Sequence, residues 1–391
     1  MSTGESRREI RDRQEGGDLV KELVIAGEAV SRVQTRHCEM RVGQAVVRMR
    51  GIGGVDTQRS HRMKGYARRL MEEWIDWMRQ EGYEMSALFG IQDFYHRFGY
   101  STWSADHELR IQTRDAERAR GSLHVGEAGA ADGSELVALY NEANRLRTCS
   151  LIRGDDWPHF RDGFGDPNDD EDEGAYAGEG CVLVVRDDSG GIAGYAALSQ
   201  NRDVTAVAEL ASRPGSVQAE VFESLLATLA ATAVERRCGE IKFFLPPDHA
   251  FCVFARRYGC EAESDYPRNA DAMGRIVCLR SLFEKLAPDL NRRIQECPSD
   301  LPDCGSVTFV TDIGSVGLRW DRGEVSVADR ENSGGIRVEL PQCILAQLVV
   351  GYRDIDDARS EPTVTIPAAA LPLLRALFPL DTPYMWRADR F

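Results

Sequence analysis

The helical period is clearest over residues 65–80, where Tyr66, Leu70, Met71, Trp74, Trp77 and Met78 recur at spacings of three and four. Gly82 stops that helix. Before it, from Val20 onward, apolar-rich runs at 22–25, 29–35, 38–42, 44–49 and 51–57 read as strands. After it come a strand at 85–89, a short helical turn carrying Tyr95, and strands around 102–111 that close a first unit.

A second unit begins near His124. It runs through a strand at 123–127, a helix at 134–146, a hairpin from 181–186 to 194–199, and a strand at 204–211. A helix at 216–237, a strand at 240–245 and a helix at 250–258 complete it. Asp248 is placed to cap that last helix. Past a linker at 295–304, short strands at 306–311, 315–320, 324–328 and 335–339 precede helices at 342–350 and 368–377. The last residues, 383–391, read as an exposed tail. The fold class is α+β, divided into a disordered lead (1–18), a first domain (19–118), a second (119–290) and a third (291–391) with its tail.

At 391 residues the chain is long enough for two or three cored domains, and 42% hydrophobic with 28% charged residues is ordinary for a globular protein. No apolar run approaches the ~18 residues of a membrane span. Residues 1–18 carry no signal-peptide core, so a cytoplasmic location is expected. The ten cysteines and seven histidines are dispersed, without zinc spacing, so no metal site is expected. A net charge of −15 argues against nucleic acid or an anionic membrane as partner and favours cationic small molecules or peptides. The acidic run from Asp166 to Glu173 reads as a solvated loop.

Two motifs carry chemistry. Arg62-Met63-Lys64-Gly65-Tyr66-Ala67 is an R-x-x-G-x-A that follows a strand and opens a helix. A glycine turn at a helix start leaves backbone N–H groups converging at the positive end of the dipole, which suits a pyrophosphate. Lys64 either helps hold phosphate or is a solvated helix-start residue. One strand later, Phe94-Tyr95-His96-Arg97-Phe98-Gly99-Tyr100 supplies a phenol at Tyr95. Alone, the glycine turn reads rather as an ordinary helix start and Tyr95 as a core aromatic. At this order and spacing the two together favour one acyl-CoA site.

The order strand, R-x-x-G-x-A, helix, strand, F-Y-x-x-F-G-Y resembles the GNAT N-acetyltransferases. With a second unit of the same element order, it resembles the enhanced-intracellular-survival (Eis-like) acetyltransferases, whose third domain looks like a sterol carrier protein. The second unit has Ala211-Ser212-Arg213-Pro214-Gly215 at the turn where the motif would stand, and Phe254 where the tyrosine would be sought, so it reads as a degenerate copy. The resemblance implies that Val55, Asp56 and Thr57 hydrogen-bond the pantetheine arm. It implies that Met63, Lys64, Gly65, Tyr66, Ala67 and Arg68 cradle the pyrophosphate, and that Gly90 and Ile91 flank the arm. It further implies Tyr95 as general acid, the terminal carboxylate of Phe391 as base, and a homo-oligomer of hexamer type. The family's first strand and two helices, which wall the acceptor pocket, have no recognisable counterpart in residues 1–20.

The function expected is transfer of an acetyl group from acetyl-CoA, without a metal, to a primary amine of a cationic small molecule or peptide. The alternative is a non-catalytic protein that binds a lipid or other hydrophobic ligand through the third domain.

Overall fold

The computed structural model describes residues 8–154, 181–198, 205–215, 217–297, 303–322, 324–328 and 335–391; the acidic run from Asp166 to Glu173 lies outside them. The chain divides into two units. Unit 1 takes Met1–Ser104, Pro267–Pro383 and Phe391, and unit 2 takes Ala105–Tyr266 and Tyr384–Arg390.

In unit 1, β1 (Arg8–Glu15), β2 (Asp18–Ile25), β3 (Glu28–Val42) and β4 (Ala45–Thr57) form an antiparallel meander. Helix α1 (Tyr66–Gln80) then crosses over to β5 (Met85–Gly90), which runs parallel to β4, and the short β6 (Ser101–Thr102) follows. The expected helix is α1 itself. It buries Tyr66, Leu70, Met71, Trp74, Ile75 and Met78 against the sheet, and the Trp74 ring N–H donates to the Val33 carbonyl at 3.2 Å.

Unit 2 contains β7 (Asp106–Gln112), α2 (Thr113–Ala116), β8 (Val125–Glu127), α3 (Gly133–Ala143), β9 (Val182–Arg186), β10 (Ile192–Leu198) and β11 (Thr205–Ser212). Then come α4 (Gln218–Glu235), β12 (Glu240–Phe243), α5 (Ala250–Ala255) and β13 (Glu261–Asp265). The chain returns to unit 1 with β14 (Asp271–Ile276), α6 (Leu279–Glu296), β15 (Cys304–Thr311), β16 (Gly314–Asp321), β17 (Glu324–Ala328) and β18 (Ile336–Glu339). Helices α7 (Gln342–Val349), α8 (Ile355–Ala358) and α9 (Leu371–Leu377) follow.

The sheet orders are β1-β2-β3-β4-β5-β14-β6, β13-β7-β12-β11-β10-β9-β8 and β17-β16-β15-β18. The first two orders correct the sequence reading in an informative way. Strand β7, expected to close the first unit, instead pairs with β12 and β13 in unit 2. Its place beside β5 is taken by β14, from residues assigned to the second domain.

The lead is also corrected. Residues 8–15, expected to be disordered, form β1, joined to β2 by the Gly16–Gly17 turn alone, so no helix stands between the two strands. Pairing with β2 is reinforced by Lys21 to Asp12 at 2.9 Å and Arg13 to Glu22 at 3.1 Å. The two strand runs expected at 29–35 and 38–42 are one continuous β3, and those at 44–49 and 51–57 are one continuous β4.

Between the third sheet and its helices, Phe283 and Phe309 stack at 5.5 Å and Phe378 packs edge-on to Phe309 at 5.8 Å. All three rings are buried in this interior.

The C-terminal tail is not exposed. Tyr384, Trp386, Ala388 and Asp389 are buried in unit 2. The Tyr384 N–H donates to the Thr148 carbonyl at 2.9 Å and its hydroxyl to the Phe244 carbonyl at 3.0 Å. The Trp386 ring N–H donates to Asn144 Oδ1 at 2.7 Å.

His249, rather than Asp248, caps α5: its Nδ1 accepts the Phe251 N–H at 3.2 Å. Burial lowers the His249 pKa to about 4, with the Arg147 charge adding to the effect. Because the folded pKa lies below the ordinary value near 6.5, stability is complete above that value and is lost as pH falls toward 4. The loss is on the order of 3 kcal/mol. His249→Asn keeps a capping oxygen but no proton-binding ring. Acid unfolding followed by circular dichroism should therefore be flatter between pH 6.5 and 4 in the variant, and an unchanged slope would remove His249 from the acid response.

Candidate functional site

The site starts from a parting of two strands. The parallel pairing of β4 and β5 ends at Ile52↔Leu88. Beyond that point β4 stays paired with β3 as far as Ser31↔Thr57, and β5 stays paired with β14 as far as Gly90↔Asp271. The facing edges of β4 and β5 thus leave a gap lined by backbone groups without a strand partner, which a ligand can fill. A bulge sharpens the turn of β4: Gly53, Gly54, Val55 and Asp56 oppose only Arg32 to Gln34 of β3.

The structure places Val55, Asp56 and Thr57 on β4 beyond the parting. Ser31 Oγ holds that end, donating to the Asp56 carbonyl at 3.0 Å and bonding the Thr57 hydroxyl at 2.8 Å. Gly90 ends β5, and Ile91 follows it with 71% of its surface exposed.

From β4 the chain reaches the helix start through Arg62, whose Nε donates to the Thr57 carbonyl at 3.0 Å. Met63 (φ 62°) and Gly65 (φ 78°) both take the left-handed conformation, which turns the loop sharply into α1. Among the described residues, the backbone N–H groups of Tyr66, Ala67 and Arg68 have no backbone or side-chain acceptor. No acidic residue stands in the first turn, while Lys64 and Arg68 are exposed there. Uncapped donors, the helix dipole and neighbouring cations fit a bound pyrophosphate.

A Cβ built on Gly65 meets nothing within 4 Å, so the turn is kept open toward solvent. Gly65→Ala costs about 1–2 kcal/mol of backbone strain and puts a methyl group against any phosphate seated on the loop. Acetyl-CoA affinity measured by calorimetry should fall at least about tenfold while the fold survives. Unchanged affinity would remove this loop as the phosphate cradle.

Tyr95 opens a short 3-10 turn (Tyr95–Phe98) after β5. Its ring packs edge-on to Phe94 at 4.8 Å and lies against Gly90, where a Cβ would come within 2.5 Å of Tyr95 Cδ2. Burial pushes the phenol pKa up to about 12, so the hydroxyl stays protonated throughout the physiological range.

Phe391 reaches the same gap. Its ring lies over Gly51, where a built Cβ would be 2.5 Å from Cε2, and packs edge-on to Phe89 at 5.9 Å. Its terminal carboxyl carbon lies 2.9 Å and an oxygen 3.3 Å from the Cβ position of Gly53. Alternation along the strands places Gly51, Gly53 and Phe89 on one face of the sheet, with Ile52 and Leu88 on the face that packs against α1. Tyr95 belongs to the α1-side core, so its ring and Phe391 lie on opposite faces of the sheet.

Sequence reasoning missed Gly51, Gly53 and Phe89. The signal was present in Gly51-Ile52-Gly53: two glycines on one face inside a strand mark a close approach by something else.

Residues 6–103 match the family model described as an acetyltransferase (GNAT) domain. No curated protein sequence matches the chain. Among solved structures, a GCN5-related N-acetyltransferase from Kribbella flavida superimposes with a TM-score of 0.71 at 20% identity, covering 95% of this chain and 88% of that one. A conserved protein of unknown function from Enterococcus faecalis V583, a probable N-acyltransferase, gives 0.78 at 15% identity, covering 99% and 100%. Eis1 from Mycobacterium abscessus gives 0.63 at 15% identity, covering 95% and 90%. At these identities the likenesses establish the fold. The chain carries a GNAT acetyltransferase domain, and its two seven-stranded sheets are consistent with tandem GNAT-like units. Domain match and fold together support an acyl-CoA-dependent N-acetyltransferase.

Proposed function

We propose that the chain transfers an acetyl group from acetyl-CoA to a primary amine of a cationic small molecule or peptide by direct attack. The observation that carries this reading is the placement of the Phe391 carboxyl group over Gly53, at the point where β4 and β5 part, with the Tyr95 phenol on the other face.

Acetyl-CoA supplies the acyl group as a thioester. The amine nitrogen forms the new C–N bond as the C–S bond breaks, and the products are an N-acetyl amide and the free thiol. Phe391 takes the proton released by the attacking nitrogen, and Tyr95 gives one to the departing sulfur. One proton returned from carboxylate to phenolate through solvent restores both groups. A backbone N–H of the bulged β4 near Val55 is suited to stabilise the oxyanion.

Raised to about 12, Tyr95 is a weaker acid than a free phenol and lies above an ordinary thiol near 8.5. Its contribution is a hydrogen bond that strengthens as charge builds on sulfur, with proton transfer completing late. An α-carboxylate, ordinarily near ~3.5, is a weak base in water. It acts here by proximity, receiving a proton only as the C–N bond forms.

The degenerate second domain, the sterol-carrier-like third domain, hexameric assembly and a cytoplasmic location belong to the same reading. The sheet-and-helix make-up of the third sheet supports its part, and the absence of any helix long and apolar enough to span a membrane, among the described residues, is compatible with the last.

The test is calorimetric titration of the untagged protein with acetyl-CoA, then thiol release in the presence of polyamines and amine-bearing peptides. Micromolar binding with amine-dependent thiol release is the expected result. Absence of acetyl-CoA binding would overturn the reading.

A further inference from the structure

Proton transfer in the proposed reaction uses only the α-carboxylate of the last residue, a group that any amino acid carries. That chemistry gives no role to the aromatic side chain of Phe391 or to the glycine beneath it, Gly51. Both residues belong to unit 1.

Phe391 straddles the parting of β4 and β5. Its carboxyl carbon lies over Gly53, one residue beyond the last pair, Ile52↔Leu88, whereas its ring lies over Gly51, one residue before that pair. The ring is pressed onto the strand: a Cβ on Gly51 would stand 2.5 Å from both Cε2 and Cζ and 2.7 Å from Cδ2. Carbon atoms in contact keep about 3.5–4.0 Å apart, so no methylene group fits between ring and strand. Phe89, on the β5 bank of the parting, packs edge-on to the same ring at 5.9 Å. The opposite face is closed by the core beneath α1, where Ile52 and Leu88 are each 1% exposed.

The direction of the donor follows from the proposed phosphate site. The loop into α1 is tied to the Thr57 end of β4 by Arg62. With the pyrophosphate on that loop, the pantetheine arm runs back along β4 from Thr57 toward Gly53. The acyl group at its tip then points at the closed end of the gap, where the Phe391 ring stands.

We propose that the ring of Phe391, seated on Gly51 beside Phe89, is the stop that limits the acyl donor to acetyl-CoA. The inference rests on the acyltransferase reading and names its acyl specificity. The ring acts by exclusion, while the carboxylate of the same residue serves the proton transfer. Gly51 is required by the same arrangement, because any side chain there would lift the ring off the strand.

The experiment is calorimetric titration of untagged full-length wild type, Phe391→Leu and Phe391→Ala with acetyl-, butyryl- and hexanoyl-CoA. Both variants keep the terminal carboxylate, and no acceptor amine is needed. Wild type should bind butyryl-CoA at least about tenfold more weakly than acetyl-CoA, as a pocket closed to added methylenes does. In Phe391→Ala the butyryl and hexanoyl esters should bind at least as tightly as acetyl-CoA, with Phe391→Leu in between. A ring that only anchored the tail would leave the ratio of these affinities unchanged. Wild type that binds butyryl-CoA as tightly as acetyl-CoA overturns the proposal, and so does an unchanged ratio in Phe391→Ala. Absence of acetyl-CoA binding in wild type overturns the acyltransferase reading together with the stop. Acetyl-CoA binding with an unchanged ratio overturns the stop alone.

Discussion

Appending a single glycine to Phe391 is expected to lower turnover by at least a hundredfold while leaving acetyl-CoA affinity within about twofold. The extension converts the α-carboxylate at Gly53 into a neutral amide and carries the new carboxylate one residue, about 3.5 Å, farther on. General acid–base groups contribute about 10²–10⁴ in rate, and an amide retains none of the basicity. On the proposed mechanism the effect falls on kcat because the carboxylate would receive the proton of the attacking amine, whereas the uncapped N–H groups of α1 lie on a separate segment of unit 1. Gly53→Ala should reproduce part of the loss, since its methyl carbon would stand 2.9 Å from the carboxyl carbon and force it aside. Steady-state kinetics on untagged and extended protein decides the matter: full turnover with the extra glycine would show that Phe391 takes no proton.

Tyr95→Phe carries the second large effect. Phenylalanine preserves the ring packing against Gly90 and Phe94 and removes only the hydroxyl. Turnover is expected to drop about a hundredfold, equivalent to about 2.7 kcal/mol of transition-state stabilisation, with little change in acetyl-CoA Kd. The pH dependence carries its own signature. With the phenol pKa near 12, the protonated donor is fully present below that value and is lost only as pH rises through it. The rate should therefore climb with pH as the amine acceptor deprotonates, with no descending limb from Tyr95 below about pH 10. A variant with wild-type kcat would take Tyr95 out of the reaction. A limb descending between pH 8 and 9 and abolished in Tyr95→Phe would contradict the burial that keeps the phenol protonated.

Part of the fold was legible in the sequence. Helix α1 could be read because six buried side chains share one period, and Gly65 because a glycine turn before such a helix is a local pattern. Tyr95 stood out through its neighbours. Strand β1 could not be read: Arg8, Glu9, Arg11, Asp12 and Arg13 give it no apolar face, as suits a charged edge strand held by backbone pairing and by ions on β2. The tail looked solvent-exposed because the groups that bury it, Asn144, Thr148, Arg153 and Phe244, lie more than a hundred residues away. The exchange of β7 and β14 left no local trace either. Strand β7 falls among the strands expected around 102–111, whereas β14 was not read as a strand, and which sheet each joins is fixed by edge complementarity over long sequence separations.

That exchange has a consequence for how the protein is made. Strand β5 ends at Gly90, but its neighbour β14 begins only at Asp271, 181 residues later. At ribosomal speeds of about 5–20 residues per second, the edge of β5 waits on the order of 10–35 seconds for its partner. During that interval an unpaired edge rich in Met85, Ala87, Leu88 and Phe89 is open to wrong pairing. A fragment ending near residue 104 would keep this edge indefinitely, so aggregation of the isolated acetyltransferase segment is the natural outcome, and chaperone demand during synthesis should fall once residue 276 has left the ribosome.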